Sequence, residues 1–346
     1  MKTQTALLRY PWETRLTTVD LPNDPLPDHA LIRIEACGIC GTDLSTAADA
    51  KTSAWQPFGH EVAGIVEKAG ANVTAVGPGT KVVLESSSFC GTCSVCRNGR
   101  VDLCNKAPNF WQQPAMGFST YMMAPGCCLV PYDGLTPEAA CLAEPAGVAY
   151  DMVKTAGIAL GETVAVVGPG PIGLMAAALA LRSGASEVWC IGRGHSAQRL
   201  KAAAAMGARV YPWDKSLGDA KDLHRKFNHV LLTAPVQHLP ESLELLTYGG
   251  ELTYVGIGVG DGKISFDAND FHFRKLQLRA SFASPAIYYP HVLKLLAGKV
   301  LDVDLLVSHR LALKDIDQAL HLCRDKKDTV VKVVVLPGAD GSMGLA

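Results

Sequence analysis

The chain has 346 residues, of which 48% are hydrophobic and 19% charged, and its formal net charge is -1. That length suffices for two domains with a core each, and the near-neutral charge excludes an electrostatic pull toward nucleic acid or an anionic membrane. Apolar runs such as Leu174–Leu181 fall far short of a membrane span, and MKTQTALLRY at the start has no long apolar region and no cleavage signal, so the expected location is the cytoplasm.

Residues 1–35 alternate as strands do, as in HALIRIEA (29–36), and Pro22, Pro25 and Pro27 punctuate them. CGICGTD (37–43) has glycines for a tight turn at a strand end. EVAGIVEKAG (61–70) reads as a strand, and AVGPGTKVVL (75–84) as a turn and a strand. These residues predict a β-rich first part with many turns. Near Pro145 the texture changes. GVAYDMVKTAGI (147–158) has helical spacing, and residues 162–185 read as strand, tight turn and helix. A strand EVWCI (187–191) and a helix AQRLKAAAAMGA (197–208), closed by Gly207, follow. Strands are predicted at HVLLTA (229–234), ELTYVGI (251–257) and LQLRASF (276–282), with a helix LPESLELL (239–246) between the first two. Alternating strands and helices predict an α/β fold with a doubly wound parallel sheet. Beyond residue 285 the pattern predicts two helices, HVLKLLAGK (291–299) and one near Ile316–Cys323, then a strand TVVKVVVL (329–336). This tail is expected to return to the first domain, and the last residues, GADGSMGLA, to be disordered.

Four stretches carry chemistry. Gly168-Pro-Gly170-Pro171-Ile172-Gly173 fits the dinucleotide fingerprint, and it follows a strand and opens a helix. Gly168 permits the tight turn, Gly170 a close approach to a pyrophosphate, and Gly173 close helix–strand packing. About 20 residues on, an acid would bind the ribose of NAD. Here the second strand ends in Gly192-Arg193-Gly194-His195, with no acid. Arg193, aided by Arg199, suits a ribose 2′-phosphate and favours NADP over NAD. The alternative is an arginine stacked on adenine, with the ribose held by Ser196 or the backbone.

Eleven cysteines are many for a reducing compartment, where metal or chemistry is expected before disulfides. Cys90, Cys93, Cys96 and Cys104 suit a closed, tetrahedral structural zinc. A disulfide pair is disfavoured by compartment, and the spacing does not match ferredoxin iron–sulfur patterns. A second zinc is expected from Cys40, His60, Glu61 and Glu144, so that the chain carries two. There the metal is a Lewis acid toward an alcohol or carbonyl. Thr42 is either the first member of a proton relay or a turn threonine, and Asp43 is expected to hold the turn.

GICGTD, GHE, the four-cysteine lobe and GPGPIG occur in this order in zinc-dependent medium-chain dehydrogenases, and the chain resembles that family over essentially its whole length. The resemblance implies a GroES-like catalytic domain at 1–147, a Rossmann dinucleotide-binding domain at 148–285, and a return to the catalytic domain at 286–346. By motif match Cys40 and His60 take its catalytic ligand positions, with Glu61 a ligand or an acid just behind. Glu144 falls where the simple-alcohol branch carries a cysteine, as in the sorbitol, galactitol and threonine dehydrogenase branch. The family often has Gly-Gly-Phe-Ala-Glu-Tyr where this chain has Met116-Gly-Phe-Ser-Thr-Tyr121. APNFWQQPAM (107–116) is idiosyncratic, and its Phe110 and Trp111 either shape a substrate pocket or pack in the core.

The expected activity is therefore NAD(P)-dependent interconversion of a secondary alcohol of a polyol, sugar derivative or cyclitol with its ketone. Alternatives are an amino-alcohol dehydrogenase of the threonine type, a simple-alcohol enzyme and, from another class, a non-catalytic NADP-binding redox sensor. The expected partner is a small polar alcohol or ketone, with neither nucleic acid nor membrane, and the resemblance implies a homodimer or homotetramer.

Overall fold

The computed structural model describes residues 1–214, 216–256 and 262–338. Expectations for Ile257 and for residues 339–346 lie outside these. The described strands form three sheets. One has six parallel strands, in the order Arg209–Trp213, Glu187–Arg193, Thr163–Val167, Phe227–Leu232, Leu246–Tyr254 and Gln277–Ala280. Val164, Ala165, Val166 and Val167 have no exposed surface. A strand covered on both faces needs such an unbroken apolar run, and here Pro171–Arg182 packs with Val164 and Val166 on one face and Leu239–Leu243 with Ala165 and Val167 on the other. This is the expected doubly wound sheet.

The second sheet runs Val307–Ala312, Lys332–Leu336, His29–Gly38, Glu61–Ala69, Lys81–Leu84 and Leu129–Pro131, with Tyr121–Pro125 also paired to His29–Gly38. The third joins the hairpin Lys2–Arg9 and Glu13–Asp20 to Gln56–Pro57. In the second sheet, register matters most. Gly38 opposes Glu61 on one side and Val334 on the other. The end of one strand, the start of a second and the start of a third therefore meet at one sheet end.

The helix Ala143–Ala156 is continuous across residues 147 and 148. It packs in one core with Leu174, Met175 and Val292. Gly147 lets Tyr289 approach, since a Cβ there would sit 3.2 Å from its ring.

Four elements differ from the sequence reading. CGICGTD is not only a turn, because a helix Gly41–Ala48 starts directly after Cys40. Arg209–Trp213 and Val307–Ala312 are strands although neither shows a plain period-two pattern. The helix expected to reach Leu246 ends at Leu243, and Leu246 opens the next strand. Arg274 accounts for that break. It is 1% exposed, donates to the carbonyls of Leu243 and Leu246, and pairs with Asp270 at 2.8 Å.

Arg274→Met strands two buried carbonyls, so the chain should lose about 2–4 kcal/mol of stability in urea unfolding. Asp270→Asn should cost far less, because that carboxylate is partly hydrated.

Candidate active site

The register just described brings Cys40 and His60 together. Cys40 lies two residues past Gly38 and caps the helix Gly41–Ala48. His60 lies one residue before Glu61. The Cys40 N–H donates to Asp43 Oδ2 at 2.8 Å, which is the turn-holding role expected of Asp43. Asp43 also faces the ring, with its Oδ1 3.9 Å from His60 Nδ1. On the other side, His60 Nε2 stands 3.9 Å from Glu144 Oε1, in the first turn of Ala143–Ala156. Thr42 Oγ1 lies 3.5 Å from Cys40 Sγ.

Burial shapes the charges of this group. Glu144 is pushed up to about 7 by burial, against the pull of His60. Burial alone would lower the His60 pKa, but Cys40, Glu144 and Asp43 outweigh it and hold it well above the usual value. Glu144 Oε2 and His60 Nδ1 are buried and have no hydrogen-bond partner among the described residues. An orphaned buried carboxylate oxygen is costly unless something cationic meets it. Thiolate, imidazole and carboxylate converge here, and the set fits zinc with a position left open. Beside Glu144 a small cavity is lined by Gly147, Val148, Ala283, Ala286, Tyr288 and Tyr289.

Glu61 does not join these three. It has no exposed surface, and its carboxylate is taken by Lys332 Nζ. Lys332 also donates to Ile39 O at 2.9 Å. Sequence reasoning missed Lys332. The available signal was a single lysine inside the apolar strand TVVKVVVL, since a charge in a buried strand needs a buried partner.

Cys90, Cys93, Cys96 and Cys104 form a tighter group, and among the described residues it is the one candidate metal cluster whose donor atoms all lie within 4.8 Å of one another. Cys93 Sγ is 3.4 Å from Cys96 Sγ and 4.0 Å from Cys104 Sγ. Four sulfurs at that spacing would hold a structural zinc in a closed site. Hydrogen bonds from Thr92 hold Cys90 down to about 5, which favours the thiolate that a metal needs.

At the parallel sheet each glycine of the fingerprint has a distinct environment. Gly168 has φ +103°, and a Cβ there would meet Ala234 N at 2.7 Å. A Cβ on Gly173 would strike the Gly168 carbonyl. Gly170 has nothing within 4 Å of its Cβ position, so that side is open for a pyrophosphate at the N-terminus of Pro171–Arg182. Pro171 takes the first turn and Ile172 packs against the core.

The second strand end departs from expectation in two ways. Arg199 is committed elsewhere, because its Nε donates to Val330 O at 2.8 Å and burial lowers its pKa. An acid is also present after all. Asp214, at the end of the neighbouring strand, accepts the Gly194 N–H at 3.1 Å. Arg193 stacks over Trp213 at 4.7 Å and donates to Asp214 O at 3.2 Å. Asp214 was out of view because parallel pairing, not sequence distance, brings it there.

Residues 26–134 match the family model described as Alcohol dehydrogenase GroES-like domain, and residues 171–298 match Zinc-binding dehydrogenase. L-galactonate-5-dehydrogenase of Escherichia coli (strain K12) is 30% identical over 315 residues, covering 86% of this chain and 87% of that protein. Sorbitol dehydrogenase of Bacillus subtilis (strain 168) is 28% identical over 349 residues, covering 96% of each. A protein from Sinorhizobium meliloti 1021, assigned as a zinc-binding dehydrogenase and solved bound to NADP, superposes with a TM-score of 0.84 at 27% identity. That match covers 97% of this chain and 100% of the other.

Lys332→Met should leave Glu61 buried without its cation and cost about 3–5 kcal/mol in denaturant unfolding. Adding Glu61→Gln should restore part of that loss. If the double variant is less stable than the single one, the pair is not what holds this corner.

Proposed function

The chain belongs to the zinc-dependent medium-chain polyol dehydrogenase family, and from that premise we propose that it oxidises a secondary alcohol of a polyol, sugar derivative or cyclitol to the ketone. The observation that carries the reading is the trio Cys40, His60 and Glu144, with one buried Glu144 oxygen left unpartnered. When bound there, zinc supplies a Lewis acid toward the alcohol oxygen, and a nicotinamide supplies the hydride acceptor. The chain's own residues do the rest. Asp43 faces His60 and holds the Cys40 turn, Thr42 takes the alcohol proton onward, and Lys332 holds Glu61 in place behind the site. The names of the L-galactonate and sorbitol dehydrogenase relatives support a polyhydroxylated substrate.

The proposed partition is 1–147 for catalysis, 148–285 for the dinucleotide and 286–346 for the return. The helix Ala143–Ala156 ties the first two together. NADP is the proposed cofactor, supported by Arg193 at the end of the second strand, its guanidinium placed over Trp213. The Asp214 carboxylate opposes a 2′-phosphate, so the preference should be modest. A dimer is also proposed. Gln277–Ala280 is an edge strand, and Leu278, Phe273 and Phe282 are exposed nearby. Among the described residues no helix is long and apolar enough to cross a membrane, and none of the eleven cysteines is paired in a disulfide, which supports a reducing compartment such as the cytoplasm.

A panel of D-sorbitol, a cyclitol, L-threonine and 2-propanol, each with NAD and NADP, tests the reading. Fastest cofactor reduction is expected with a polyhydroxylated alcohol, and preference for 2-propanol or L-threonine would sink it. Elemental analysis should find two zinc ions per chain. Cys40→Ser should abolish activity with the fold kept, and Cys96→Ser should destabilise the fold. Arg193→Ala should raise the Michaelis constant for NADP by about tenfold while leaving that for NAD nearly unchanged. An equal effect on both cofactors would make Arg193 a stacking residue.

A further inference from the structure

The loop 107–116 sets two adjacent aromatic residues to different tasks. Phe110 has no exposed surface and belongs to the core. Trp111 keeps 44% of its surface open, although its ring centroid lies 4.9 Å from that of His60. His60 itself is only 4% exposed. The indole is thus an uncovered apolar surface laid against a residue of the reacting centre. It is also held firmly. Phe110 stacks beside it at 6.2 Å, with 17° between the rings. The Trp111 backbone N–H donates to Asn109 Oδ1 at 3.1 Å, and Asn109 Nδ2 donates in turn to Ala107 O at 3.1 Å, which fixes the loop that carries the indole. Asn109 is anchored further by a bridge to Ser87. A braced, half-open indole loses little entropy when a ligand covers it.

We propose that Trp111 is the substrate-stacking wall of this site, and that it selects a polyhydroxylated carbon chain or ring over a small monohydric alcohol. The inference rests on Cys40, His60 and Glu144 being the reacting centre. The ring face of an indole carries negative charge density, and carbon-bound hydrogens beside hydroxyl groups are electron-poor. A polyol or cyclitol presents several such hydrogens on one side and its hydroxyls on the other. One face then stacks on Trp111 while the hydroxyls turn to polar groups and water. A two- or three-carbon alcohol held by its reacting oxygen has little surface left to cover the indole. The wall therefore contributes affinity in proportion to the substrate beyond the reacting carbon. A phenylalanine keeps a smaller ring face, and an alanine keeps none.

The test compares kcat/KM for D-sorbitol, myo-inositol, 2-propanol and L-threonine in the wild type, Trp111→Phe and Trp111→Ala, with zinc content checked in each. In the alanine variant the preference for the better polyhydroxylated substrate over 2-propanol should fall about tenfold, mostly through KM. The phenylalanine variant should recover most of it. Saturating D-sorbitol or myo-inositol should change the tryptophan fluorescence of the wild type and not that of the alanine variant. Equal losses for all substrates with zinc retained, or no loss for any, would overturn the proposal. So would a loss confined to L-threonine, since that would make the indole a seat for an ammonium group. A wild type that turns over no polyhydroxylated alcohol would defeat the functional reading, and the fluorescence difference would still decide whether Trp111 contacts such molecules.

Discussion

The ion pair between Lys332 and Glu61 is the constraint on which the active corner depends. It joins residues 271 positions apart, and both are almost wholly buried. Taking two charges out of water is expensive, so such a pair adds little net stability over an apolar pair of the same shape. Its effect is to fix position. Lys332 reaches the carbonyl of Ile39 as well, so one ammonium ties the last strand to the residue before Cys40 and to the residue after His60. Gly38 has to be glycine at this point, because a Cβ there would strike the Glu61 carboxylate and come within 2.9 Å of Lys332 Cε. Three strands, one charge pair and one missing side chain thus hold the two candidate ligands at the same sheet end.

Glu144 arrives from a different direction. It sits in the first turn of a helix whose remaining length packs against the dinucleotide-binding half. Any shift of that helix against the β-rich half would move Glu144 relative to His60. The packing is therefore made close where the helix meets its neighbour, with Gly147 seated under the buried ring of Tyr289. The four-cysteine lobe is separate in kind. Its sulfurs are mutually close, its turns use left-handed glycines at Gly91 and Gly99, and it needs no contribution from the other half.

The cofactor end shows a balance of opposed charges. Arg193 favours a phosphate, and Asp214 sits beside Gly194 where it favours a ribose hydroxyl. A Cβ at position 194 would lie 2.5 Å from Asp214 Oδ1, so any side chain there would push the carboxylate aside. The close contact binds the acid to the loop and gives the arginine and the carboxylate a common station at the ends of two neighbouring strands.

Local chemistry by itself determined much of this protein. Four cysteines within fifteen residues can close on one ion with little help, and a glycine turn between an apolar strand and a helix names its ligand through backbone geometry alone. The alternation of strands and helices also made the parallel sheet legible, because burial on both faces leaves an unbroken apolar run. Only the tertiary structure decided the rest. Glu61 and Glu144 are chemically alike in the sequence, and the fold gave one to Lys332 and left the other facing His60. Arg193 and Arg199 look equally available, yet helix packing turned Arg199 to the carbonyl of Val330. Phe110 and Trp111 are neighbours of similar character, and one was buried while the other was left open over His60. In each case the side chains have the same chemistry, and what separates them is which distant strand or helix arrives beside them. Sheet register and helix packing set that, and neither can be read from the adjoining residues.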